Sequence, residues 1–238
     1  MSRPPLASGH SGTPRRPRKS PAPRYPCAPP SAPTLGAPCP ARQTSWSRCS
    51  GPLCSDDRRA EGGVRRMNLA HWLQRTAQIH GDAPALLTGT DVVADYATFH
   101  AQAASLAGQL GIKPGDRVGL FMANCPEFLI AFWAVWIAGG AVVPINNKLH
   151  GREAAWILEN SGAVRVFVTS KLGAALDGLT EVPVIDVETP TFNDLLSGPA
   201  HATVHREAAD LAWLFYTSGT TGRPKGVRIT HGMLEAMT

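Results

Sequence analysis

From residue 128 to residue 147 the chain runs for 20 residues without a charged side chain. That is the length a membrane-spanning helix needs. However, Gly139-Gly140 cuts the run in two and Pro144 falls in its second half, so neither half crosses a bilayer. The first half reads as a helix apolar on all sides. It opens at Pro126, where the missing N–H is no loss. The second half, residues 141–145, is a strand of continuous apolar character. Such strands belong to the middle of parallel sheets covered on both faces.

The flanking segments supply such a sheet. Asn68 is the predicted cap of a helix over 68–79, with Leu69, Trp72, Leu73, Thr76 and Ile79 near one face. Short strands are expected at 85–87 and 92–94. Phe99, Ala103, Leu106 and Leu110 give residues 96–110 a helical stripe. Lys113-Pro-Gly-Asp116 is a turn, and 117–122 an apolar strand. Further helices fall at 151–161, with Ala155, Ile157 and Leu158 inward, at 171–176 and at 192–196. Strands are expected at 164–168, 182–186, 211–216 and 227–230, and a helix starts at His231. Strands alternating with helices define an α/β fold with a mostly parallel sheet flanked by helices.

Residues 1–66 have a different composition. They hold 13 of the 21 prolines and four of the five cysteines. Twelve Lys and Arg against three Asp and Glu give them a net charge of +9, leaving −4 for the other 172 residues of a chain totalling +5. The basic balance therefore belongs to a tail, and nucleic acid is not an expected partner of the rest. Without apolar periodicity the tail is expected to be disordered. It has no apolar stretch of a secretory signal, so the expected location is cytoplasmic. Its Arg and Ser resemble a transit peptide, but its prolines break the helix that such peptides form. The expected domains are this tail and a globular part, 67–238, with Met67 as the plainest start of the functional protein. Cys27, Cys39, Cys49 and Cys54 lack the paired spacing of a zinc site. Cys125 is expected at a helix entry as a small buried residue.

The chemistry concentrates in Thr217-Ser-Gly-Thr-Thr-Gly222-Arg-Pro-Lys225. Gly219 and Gly222 let the backbone curl so that its N–H groups form an anion-binding nest. Thr217, Ser218, Thr220 and Thr221 add hydroxyl donors. Lys225 is the candidate catalytic residue, a mobile charge for the same oxygens. The spacing is not that of a P-loop, and a strand rather than a helix follows. His231 has two readings, an approach to nucleotide or a place in the first turn of a helix capped by Thr230. The second is favoured. Asp210 reads as a turn former, Trp133 and Trp136 as core.

The segment Leu214-Phe-Tyr-Thr-Ser-Gly-Thr-Thr-Gly-Arg-Pro-Lys-Gly-Val227 resembles the signature of the adenylate-forming (AMP-binding) superfamily. Gly115-Asp-Arg-Val-Gly-Leu, Asn124-Cys-Pro-Glu-Phe, Ala138-Gly-Gly-Ala-Val-Val-Pro-Ile-Asn-Asn-Lys-Leu149 and Glu153-Ala-Ala-Trp-Ile-Leu-Glu-Asn-Ser161 resemble the N-terminal portion of acyl-CoA synthetases. The resemblance covers 67–238. It implies that a carboxylic acid, a fatty acid above all, is activated with ATP and Mg2+ to an acyl-adenylate and then joined to coenzyme A. It places Thr217, Ser218, Gly219, Thr220, Thr221, Gly222 and Lys225 around the nucleotide phosphates.

Segments that the resemblance leads one to expect do not occur in 1–238: a Tyr-Gly-x-Thr-Glu-like segment, an Arg-x-Gly-Asp-like segment, and a small C-terminal domain with its own lysine. The expectation is therefore that this polypeptide alone does not make acyl-CoA. The alternative is a non-catalytic remnant that binds nucleotide weakly or serves as an interaction module. The acyl pocket is not located by the sequence, nor is the oligomeric state fixed.

Overall fold

The computed structural model describes residues 67–217 and 224–238, which lie in one contact unit. The tail 1–66, with its four cysteines, and the loop residues Ser218, Gly219, Thr220, Thr221 and Gly222 lie outside the described residues.

The first elements are helix α1 (Ala70–Ile79), strands β1 (Pro84–Thr88) and β2 (Asp91–Asp95), helix α2 (Tyr96–Gln109), β3 (Arg117–Phe121) and α3 (Pro126–Ile137). Then come β4 (Ala141–Pro144), α4 (Gly151–Ser161), β5 (Ala163–Val168), α5 (Ser170–Ala174), β6 (Val184–Asp186) and α6 (Pro190–Leu195). The chain closes with β7 (Leu211–Thr217), β8 (Lys225–Thr230) and α7 (His231–Glu235). The main sheet has the order β6-β5-β3-β4-β7-β8. Its first five strands are parallel, and β8 returns antiparallel to β7. The predicted strands near 85 and 92 form a separate antiparallel hairpin, β1–β2.

The charge-free run resolves as expected into α3 and β4. Gly139, at φ +78, turns between them; an added Cβ would press on Val204 at 2.7 Å. Within β3, successive side chains enter opposite layers. Val118 and Leu120 join the core under α1, α2 and α3, while Phe121 joins the one under α4. Gly119 lies between them, and a Cβ there would collide with Leu158 of α4. Burial of most residues of β3, β4 and β5 is why these segments carry no period-2 alternation. Each fully buried Leu or Phe in these layers contributes roughly 1.5–3 kcal/mol.

Two side chains differ from expectation. Trp72 and Ile79 do not share the inner face of α1: they are 40 % and 59 % exposed, while Leu69 and Leu73 are buried. Asn68 precedes the cap position, and α1 is flanked by Leu69. Buried at 3 % exposure, Asn68 accepts from Ala70 N at 2.9 Å and donates to the carbonyls of Trp136 at 2.6 Å and Val204 at 2.8 Å. It thus ties α1 to the end of α3 and to the strandless segment before β7. Other caps are conventional. The Asp95 carboxylate accepts from Thr98 N, and His150 and Glu153 form a capping box on α4.

Candidate phosphate-binding edge

Five parallel strands end on one edge of the sheet. The connection from β3 runs through α3 to β4 on one side, and that from β4 runs through α4 to β5 on the other. Adjacent strands whose connections leave in opposite directions open a crevice at their carboxyl ends, the usual ligand position in such sheets. β7 is the next strand beyond β4, in parallel register through Val142 and Trp213. Its last residue, Thr217, therefore reaches the same edge.

Thr217 pairs directly with Lys225, the first residue of β8. Both are exposed. The segment between them is the predicted glycine loop, so the two described site residues are the posts on which it hangs. A lysine there is a solvated, steerable cation rather than a core charge. The loop after β4 brings Asn146, Asn147 and Lys148 to this edge, all exposed, with Lys148 N held by the Asn146 side chain at 3.0 Å. At the far end, Asp186 and Glu188 hold Ser170 through its hydroxyl at 2.6 Å and its amide at 2.8 Å. From β6 to β8 is five strand spacings, about 24 Å. That is well beyond the Debye length of about 8 Å at physiological ionic strength, so these carboxylates do not oppose an anion at Lys225.

The posts are anchored on both faces. On the α4 face the Tyr216 hydroxyl donates to Asn160 Oδ1 at 2.7 Å, and its ring meets Trp156 edge-on at 6.1 Å. Burial raises the Tyr216 phenol above its ordinary range, against the lowering effect of the Arg117 charge. On the α3 face Phe132 packs edge-on against Trp213 at 5.6 Å, and Trp213 against Phe215. A register shift between Leu211 and Trp213 accompanies the placing of Ala212 in the α3-side core, where its carbonyl accepts from Trp136 Nε1 at 2.8 Å.

The other predicted residues fall away from the edge. His231 is fully buried and Thr230 caps its helix, accepting from Met233 N at 3.2 Å, as the favoured reading had it. Burial, then the Arg206 charge, push the His231 imidazole down to about 4, with Asp210 opposing. Asp210 shapes a turn, accepting from Glu207 N at 2.9 Å and pairing with Arg206 at 3.0 Å. Half-buried Cys125 precedes α3, and burial first, then hydrogen bonding to Glu127, raises its thiol to about 11. Tyr216 and Asn160 were not singled out as site residues. Only their place on the folded sheet reveals them. Among the described residues no three His, Cys, Asp or Glu side chains gather as a metal cluster. Nor is any described helix long and apolar enough to cross a membrane.

A mostly parallel sheet flanked by helices, with five strands ending on one edge, makes this an α/β domain of the kind that takes ligands at the carboxyl ends of its strands. The chain belongs to the AMP-binding enzyme family, which residues 73–238 match. It is 34 % identical over 194 residues to a crotonobetaine/carnitine–CoA ligase of Salmonella paratyphi A, spanning 71 % of this chain and 37 % of the ligase. Its structure resembles the inhibitor-bound N-terminal domain of FACL13 from Mycobacterium tuberculosis, with a TM-score of 0.61 and 32 % identity over 69 % of this chain and 44 % of that one. An anthranilate CoA ligase in complex with anthranoyl-AMP aligns at a TM-score of 0.63 and 25 % identity, over 69 % of this chain and 35 % of that one. The chain thus spans about 37 % of the curated relative's length.

Proposed function

We propose that residues 67–238 are the phosphate-binding part of an acyl-CoA ligase that activates a carboxylic acid, a fatty acid above all, with ATP. The observation that carries this is the pairing of Thr217 with Lys225 at the carboxyl edge of the sheet, in a chain of the AMP-binding enzyme family. A carboxylate oxygen attacks the α-phosphorus of ATP. The new bond is a mixed anhydride, the acyl-adenylate; the bond broken joins the α- and β-phosphates, and pyrophosphate leaves. The thiol of coenzyme A, losing its proton, then attacks the acyl carbon, and AMP departs with the electron pair of the C–O bond.

The part of this chain is the first step. Thr217, Ser218, Gly219, Thr220, Thr221 and Gly222 offer N–H and hydroxyl donors to the β- and γ-phosphates. Lys225 balances the charge that grows on the departing pyrophosphate. Such transfers depend on positioning and charge stabilisation more than on covalent chemistry by the protein. That the relatives include ligases for crotonobetaine or carnitine and for anthranilate supports an acid substrate and leaves its acyl group to experiment.

The alternative reading is a module that binds nucleotide without turning it over. ATP–pyrophosphate exchange on the purified chain, with a panel of fatty and aromatic acids, separates the two. Acid-dependent exchange supports a complete first step within this chain. ATP binding without exchange supports the module, and the absence of both contradicts the phosphate-binding assignment.

A further inference from the structure

β8 is an edge strand whose register its own side chains specify weakly. Lys225, Gly226, Val227 and Arg228 are exposed, and Ile229 and Thr230 only half-buried. A strand without one buried face slips easily, and a one-residue slip sends every side chain to the opposite face. Here it would put Gly226 opposite Thr217 and turn Lys225 away. Something other than the strand's own pattern must fix the pairing.

His231 follows β8 directly and is fully buried. Its amide donates to Asp210 O at 3.0 Å, and the next amide, of Gly232, to Ala208 O at 2.8 Å. Its Nδ1 accepts from Leu69 N at 3.4 Å, across 162 residues of sequence. Its ring lies 5.9 Å from that of Trp136. Accepting at Nδ1 places the imidazole proton on Nε2, which is buried without a hydrogen-bond partner. An orphaned buried donor costs about as much as or more than one hydrogen bond returns. Stability alone is therefore a poor account of an imidazole here. What it supplies is an acceptor at one point, facing the start of α1.

We infer that His231 is a positioning residue: it pins the end of β8 to Leu69 and to the turn at Asp210, and so holds Lys225 opposite Thr217. It acts at a distance, since six residues of strand span about 20 Å. Its buried place excludes contact with phosphate. The inference rests on the phosphate-binding reading of the loop only for its consequence, not for the lock itself.

Two near-isosteric variants of the full chain test it. His231→Asn keeps an acceptor where Nδ1 lies, whereas His231→Gln moves the acceptor to the Nε2 position, where no donor waits. Hydrogen exchange is followed at the β8 amides and, as an internal standard, at β3. The expected result is exchange in β8 at least tenfold faster in His231→Gln, with β3 unchanged and His231→Asn close to the parent. Pyrophosphate affinity should fall about fivefold in His231→Gln alone. Equal loss of protection in both variants, spread over β8 and β3 together, or no change in β8 in either, overturns the inference. A β8-specific loss in a parent chain that binds no pyrophosphate upholds the lock and contradicts the phosphate reading instead.

Discussion

The Tyr216 hydroxyl donates to Asn160 Oδ1 at 2.7 Å, joining the residue before the glycine loop to the last turn of α4. This bond ties the end of β7 to the helix that returns from β4. Tyr216→Phe removes it and leaves the Trp156 ring contact. A part-exposed neutral hydrogen bond is worth about 1 kcal/mol, or roughly 2–4 °C in a domain of this size. The melting temperature should drop by that much, and Tyr216→Ala should cost more because the ring goes too.

Stability should depend on pH through His231. The unfolded imidazole titrates at about 6.5, the folded one at about 4. Between these values the unfolded chain binds a proton that the folded chain refuses, so stability falls as pH falls. The contribution is complete above pH 6.5, erodes through the window, and levels off below about 4. Its size is on the order of 3 kcal/mol. Urea unfolding of the parent and of His231→Asn, from pH 7.5 to 4.5, should show a steeper decline in the parent.

Cys125 should be a poor nucleophile. With its thiol raised to about 11, the thiolate fraction at pH 8 is on the order of a hundred times below that of an ordinary cysteine. Iodoacetamide labelling resolved by peptide mapping should therefore be far slower at Cys125 in the folded chain than in the urea-unfolded one. Labelling of Cys125 at an equal rate contradicts the environment described.

The globular part should begin at Met67. Its amide donates to Arg206 O at 2.6 Å, and Asn68 makes three bonds, to Ala70 of α1, to Trp136 at the end of α3 and to Val204 before β7. Deleting 1–66 should leave the melting temperature unchanged within a degree or two, whereas Asn68→Ala should lose roughly 2–4 kcal/mol by orphaning buried partners. A large loss on deletion would assign the tail a folding role.

These residues also show what was legible in the sequence. Apolar runs gave β3, β4 and α3, because a strand covered on both faces has no other pattern. Glycine, hydroxyl and lysine spacing marked the loop. The partners of Asn68, His231 and Tyr216 were not legible: their contacts lie 68 to 162, and in the last case 56, residues away in sequence, and periodicity reports a face but not what covers it. Trp72 and Ile79 illustrate the same limit. They share a helical stripe with Leu73, but the layer above α1 reaches only part of that stripe.

Lys225, opposite Thr217, is proposed to hold nucleotide phosphate. Calorimetric titration of pyrophosphate into the full chain and into Lys225→Ala, at low and at physiological salt, tests it most directly. Binding should be about tenfold weaker in the variant, ~1.4 kcal/mol, with a difference that shrinks as salt screens the exposed cation. Equal affinities in the two chains, at both salt concentrations, would contradict it.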